Sequence, residues 1–213
     1  VIIESIREAA KNDDIVAIYL KCGSVSASAA TLNAIRHELI EFKKTTDNKK
    51  KILAYADGYT QGCYFIASVA DDIYLNPAGE MGLQGMSSSN FYMKGLLDKL
   101  GVQFQVVKVG AYKSAVEPYI LDNMSDPARA QMDTLLGAMW GYIRSQIAES
   151  RHGLTPESID SLVSKDFIAF SKASYALKAG LVDSLVYERE MNKRLSEISG
   201  READKLNFVS PRT

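Results

Sequence analysis

One short segment concentrates the residue types that could do proton chemistry. In KVGAYKSAVEPY at 108–119, Lys113 follows a strand-like run and a Gly-Ala turn. Its neighbours Ala111, Tyr112, Ala115, Val116, Pro118 and Tyr119 are small or apolar. Such surroundings can strip water from an ammonium, disfavour its charge and lower its pKa. A neutral lysine can take the proton from a serine, the Ser-Lys form of nucleophilic catalysis. Bringing an ordinary lysine from near 10.4 down to about 7 asks about 4 kcal/mol of its surroundings. Glu117 opposes this if it pairs with Lys113. Read from the residues alone, a surface ion pair is the commoner situation.

Other chemistries have little to work with. The chain holds two histidines, His37 and His152. His37 lies mid-helix in IRHELIEF, and His152 sits in SRHGL where it can favour a helix C-terminus. A Ser-His-Asp triad is therefore not expected. Cys22 and Cys63 are the only cysteines. Two are too few for a disulfide scaffold or a structural zinc site. Both border apolar segments and read as buried free thiols. There is no phosphate-binding GxxxxGK[ST] loop and no GxSxG elbow. GEMGLQG at 79–85 does not follow the first strand, so it is not read as a dinucleotide loop. No cofactor is expected. With 25 basic and 26 acidic residues and a net charge of -1, the chain lacks the cationic surplus that nucleic acid requires. The basic run KKTTDNKKK at 43–51 reads as a solvated loop.

The elements that must position Lys113 follow from periodicity. Residues 1–12 read as a helix, not a leader, and the chain is expected to be a piece of something longer. IVAIYL at 15–20, ILAYAD at 52–57, DIYLN at 72–76 and QFQVVKV at 103–109 read as strands, the first of them buried on both faces. Helices are predicted at 32–42, within 58–71 where a sharp turn opens a short helix, and at 90–100. The order indicates an α/β fold with mostly parallel pairing. The second half is mostly helical. Asp126-Pro127 reads as an N-cap and first turn. Met132, Leu135, Leu136, Met139, Ile143 and Ile147 then repeat as a core-facing stripe. Further helices are predicted after Thr155, over 171–180 with a stop at Gly180, and over 188–199. No stretch reaches the roughly 20 apolar residues that span a bilayer. A single domain, 1–213, is expected.

Several segments together resemble a known family. GAYKSAVEPY with DNMSDPARAQMDTLLGAMW, YTQGCYFIASVADDIYLNPAGEMGLQG at 59–85, LLDKLGVQFQVVKVG at 96–110 and YALKAGLVDSL at 175–185 resemble the N-terminal half of double-length signal peptide peptidase A, also called protease IV. The resemblance runs in the family's order over roughly residues 15–200. It implies a Clp protease/crotonase-like fold of stacked ββα units with a helical C-terminal part. It implies an ATP-independent serine peptidase that degrades cleaved signal peptides or other hydrophobic peptides through a Ser-Lys dyad. The lysine lands on Lys113, and the serine is expected on the C-terminal half of the same protein. The implied setting is the periplasmic side of the bacterial inner membrane, anchored upstream, in a ring-like homo-oligomer such as a tetramer.

The departures from the family agree with a split dyad. Nucleophile-bearing copies read like A-S-G-G-Y-Y where this chain has Thr60-Gln61-Gly62-Cys63-Tyr64-Phe65. Gln61 stands at the serine position, and an amide cannot be the nucleophile. Thr60 is one position off. Ser68, Ser87, Ser88 and Ser89 match no nucleophile motif and read as helix-surface or loop hydrogen-bonding residues. Ser114 reads as a hydrogen-bonding neighbour of Lys113. The Gly-Gly oxyanion loop of catalytic copies is replaced by Lys21-Cys22-Gly23-Ser24, where Gly23 is expected to shape a turn. Two rivals stand beside this reading: a crotonase-type acyl-CoA enzyme and a non-catalytic oligomerisation module of the same fold.

Overall fold

A computed structural model describes residues 1–107, 109–165 and 170–211. The chain packs as two compact units, Val1–Gln84 with Ile143–Thr213, and Gly85–Tyr142. In chain order the elements are α1 (Ile2–Lys11), β1 (Ala17–Lys21), α2 (Ala29–Thr45), β2 (Lys51–Tyr59), α3 (Gln61–Ala67), β3 (Asp72–Gly82), α4 (Lys94–Lys99), α5 (Glu117–Ile120), α6 (Asp126–Ser150), α7 (Pro156–Lys165), β4 (Phe170–Lys172), α8 (Ala173–Lys178), β5 (Ser184–Leu185) and α9 (Glu188–Ser199).

The first unit is built on a sheet of order β1-β2-β3-β4, with β5 also paired to β3. β1, β2 and β3 run parallel, as does β5 beside β3. β4 is antiparallel to the far end of β3. The run 52–56 in β2 is wholly buried, as expected of a strand covered on both faces. One face carries Leu53, Tyr55 and Tyr74 against Met191 and Leu195 of α9. β1 is an edge strand. The expectation of a strand buried on both faces fails for β1: residues 17–20 are half-buried and Lys21 is exposed.

Two arginines, the buried Arg36 and the half-buried Arg151, clamp elements of this unit together. Arg36 of α2 is 1% exposed. It donates to Phe65 O and Ser68 Oγ at the end of α3, to Ser150 Oγ, and to Gln146 O in the last turns of α6. Helix C-termini present carbonyls and partial negative charge, so they accept a guanidinium without a carboxylate. Arg151 pairs bidentately with Asp183 at 2.8 and 3.0 Å, and Asp183 also receives the Ile73 N–H at 2.7 Å.

The second unit departs most from the expectations. The predicted strand at 103–109 does not form over 103–107 or at Val109, and Lys108 lies outside the described residues. Val107 is 99% exposed, and a strand needs a partner ladder to satisfy its backbone. The helix predicted at 90–100 begins only at Lys94 and buries no residue. The α6 stripe is only partly covered: Ile147 is buried, yet Leu135 is 54% exposed. The α6 cap is Ser125, one residue earlier than expected; its Oγ accepts the Ala128 N–H at 3.4 Å.

Candidate active site

The start of α3 is shaped by Thr60. Its Oγ1 accepts the Cys63 N–H at 3.3 Å, a side-chain N-cap of the kind Thr is chosen for. Thr60 therefore serves the helix start. Gln61 follows as the first helical residue, and its Oε1 accepts the Gln84 N–H at 3.0 Å. The serine position of the resembled motif thus carries a carboxamide tied to the backbone just beyond β3. Gln84 as the partner was not legible in the sequence, because it lies 23 residues away.

The loop after β1 comes to the same place. Cys63 is buried, and its thiol donates to Gly23 O at 3.0 Å. Cys22 is half-buried, and its thiol faces Leu20 O at 3.7 Å. Burial, and secondarily Cys63, pushes the Cys22 thiol up to about 12. Both cysteines are free, as expected. Gly23 is exposed, its φ is not in the left-handed region, and a Cβ there would meet open space. The segment at 22–27 has no turn, so the expected turn-shaping role for Gly23 is corrected to that of a carbonyl acceptor.

The serines separate by environment. Ser68 is wholly buried and bonds Phe65 O and Arg36, so it belongs to the arginine clamp and not to a helix surface. Ser87, Ser88 and Ser89 lie in an exposed stretch without regular structure. His37 is exposed on α2, and His152 is exposed after α6. Among the described residues, no group of His, Cys, Asp and Glu side chains could hold a metal ion.

Lys113 lies in the second unit, in a pair of tight turns. The Ser114 N–H donates to Tyr112 O at 3.1 Å, and the Glu117 N–H donates to Ser114 O at 3.0 Å. Ser114 thus contributes its backbone, as expected of a hydrogen-bonding neighbour. The Lys113 side chain is exposed, the surface placement that the residues alone favoured and not the desolvated one that a lowered pKa asks for. Its neighbours Ala111, Tyr112 and Ala115 are exposed as well. Glu117 is 1% exposed and accepts from Ser125 N–H at 3.1 Å and Ser125 Oγ–H at 2.6 Å.

The chain is similar to known proteins. A model described as Peptidase family S49 matches residues 44–201. The chain belongs to this family. Protease 4 of Haemophilus influenzae is 37% identical over 188 residues, covering 86% of this chain and 30% of that protein. Protease 4 of Salmonella typhi is 33% identical over 216 residues, covering 97% of this chain and 34% of that protein. The S49 chain described here thus spans about a third of the length of these relatives. A solved mutant of the membrane-bound stomatin-specific protease 1510-N aligns over 99% of this chain and 89% of its own, with a TM-score of 0.52 and 13% identity. An enoyl-CoA hydratase/isomerase family protein from Silicibacter pomeroyi aligns over 96% of this chain and 70% of its own, with a TM-score of 0.51 and 11% identity. The S49 chain has the Clp protease/crotonase-like fold that the sequence implies, and these distant likenesses speak for the fold alone.

Proposed function

We propose that this chain is the base-supplying part of an S49 serine peptidase with a Ser-Lys dyad. Lys113 is the general base, and the nucleophilic serine lies on another part of the same protein. The observation that carries the reading is position 61. There the first residue of α3 is a glutamine bonded to the Gln84 N–H, while the GAYKSAVEPY segment retains its lysine.

In the proposed reaction, neutral Lys113 Nζ takes the proton of the serine hydroxyl as its oxygen attacks the peptide carbonyl. The resulting lysinium gives that proton to the leaving amine, and an acyl-enzyme remains. Lys113 then takes a proton from water as that water attacks the acyl carbonyl, and gives it to the serine oxygen as the acyl bond breaks, which frees the carboxylic acid and restores the serine hydroxyl and the neutral lysine. Lys113 is exposed in this chain, open to approach by the serine-bearing part in the proposed dyad. Cleaved signal peptides or similar apolar peptides are the proposed substrates. A homo-oligomer on the periplasmic side of the bacterial inner membrane is the proposed setting. Among the described residues no helix is long and apolar enough to cross a membrane.

The test uses the full-length protein and this chain side by side. Lys113→Ala in the full-length protein is expected to abolish hydrolysis of a signal peptide. A serine-reactive phosphonate is expected to label the full-length protein and leave this chain unlabelled. Retained turnover in the variant, or labelling of this chain alone, overturns the proposal.

A further inference from the structure

The carboxylate of Glu117 is buried, four residues from Lys113, and the chemistry above does not use it. We infer that Glu117 is a positioning residue that fixes the Lys113 turn to the start of α6. The inference rests on the proposed role of Lys113 as base.

The geometry is continuous from the lysine to the long helix. The Ser114 N–H closes on Tyr112 O around Lys113, and the Glu117 N–H closes on Ser114 O. The Glu117 carboxylate then takes both donors of Ser125, the N–H at 3.1 Å and the hydroxyl at 2.6 Å. Ser125 in turn starts α6: its Oγ accepts the Ala128 N–H, and its carbonyl accepts the Arg129 N–H at 2.9 Å. The α5 backbone is tied a second way, by the Met93 N–H donating to Pro118 O at 2.7 Å. Lys113 is therefore one step from a buried anchor, although its own side chain is exposed.

Burying a carboxylate is costly unless its oxygens are satisfied. Glu117 meets that condition at a helix N-terminus, where N–H groups and the positive end of the dipole favour an anion. The carboxylate is thereby directed at α6. What it gives Lys113 is a fixed backbone, and a fixed backbone matters because a general base must lie within hydrogen-bond reach of the hydroxyl it deprotonates.

The experiment compares variants of the full-length protein for hydrolysis of a signal peptide. Glu117→Ala is expected to lower kcat by about 10- to 100-fold with KM changed by less than about twofold, the pattern of a misplaced catalytic group. Glu117→Gln keeps an acceptor oxygen for Ser125 and is expected to recover most of kcat, with the acid limb of the pH–rate profile unmoved. Ser125→Ala is expected to lower kcat in the same direction, and non-additively with Glu117→Ala. Amide exchange at residues 114–117 is expected to quicken in Glu117→Ala. Wild-type kcat in Glu117→Ala while Lys113→Ala is dead overturns the inference. So does an acid limb displaced in Glu117→Gln, which would mean action through charge, or equal loss in Gln and Ala. Activity in Lys113→Ala instead overturns the base assignment, and the exchange measurement still reports on the anchor.

Discussion

Cys22 and Cys63 sit against the same short loop and face different carbonyls. Cys63 is committed to Gly23 O from inside the core, whereas Cys22 is held up to about 12 mainly by burial. The thiolate is the nucleophile toward alkylating reagents, so at pH 8 Cys22 should react with iodoacetamide at least about a hundredfold more slowly than an ordinary thiol of pKa near 8.5. Peptide mapping of the alkylated protein measures this. The sign of the pH effect on stability follows. A thiol whose pKa is raised on folding contributes stability that is present at neutral pH and lost as pH rises from about 8.5 toward 12. The fall in urea midpoint across that range should therefore be smaller in Cys22→Ala. Fast alkylation of Cys22 would contradict its raised pKa.

Between strands, the close approach of β2 and β3 depends on one glycine. Their register shifts between Ala56 and Gly58. Beyond this point Asn76 caps the bend: its Oδ1 accepts the Ala78 N–H, and its Nδ2 donates to Asp57. A Cβ on Gly79 would lie 2.2 Å from Asp57 O and 2.9 Å from Asn76 O, both backbone atoms. Neither can move without shifting its strand, so Gly79→Ala is expected to cost about 3 kcal/mol, an overpacking penalty at the upper end of the usual range. Gly23→Ala, which would meet nothing within 4 Å, is the matched control and should be near neutral. Urea denaturation of both variants gives the comparison. The buried Arg36 belongs to this scale too, because one side chain ties α2 to the ends of α3 and α6.

Over the whole molecule, apolar exposure is uneven. In the second unit Phe91 is 88% exposed, and Leu96, Leu100, Phe104, Val107 and Tyr112 are exposed with it. Patches larger than a few hundred Å² on a soluble protein mark interaction sites or aggregation hazards. This chain is therefore expected to self-associate with rising concentration in sedimentation velocity. Replacing Phe91 and Val107 together by lysine should suppress that association while leaving the circular dichroism spectrum unchanged. A strictly monomeric wild-type chain across the same concentrations would contradict the expectation.

Much of the first unit was legible in the chain. Buried strands are short and continuously apolar, so ILAYAD and DIYLN declared themselves, and so did a short helix within 58–71, which the structure opens at Gln61. Gly180, with φ of +74°, ends its helix as the pattern predicts. The three-residue β4 was missed because its pairing is with β3, about 90 residues earlier. QFQVVKV had the composition of a strand and formed none over its described residues, since composition favours a pleat but only a neighbouring strand completes its hydrogen bonds. At the candidate site, residue types marked Lys113 only as a candidate; the family resemblance singled it out as the expected base and set Gln61, an amide that cannot attack, at the serine position. Gln61, Cys63 and Glu117 bond Gln84, Gly23 and Ser125 respectively, and no local pattern names these partners. Chemical identity is a property of one residue and is written in the sequence. Exposure and hydrogen-bond pairing belong to atoms that meet only after the chain has folded, and so the tertiary structure alone decided that Lys113 is uncovered and Glu117 is buried.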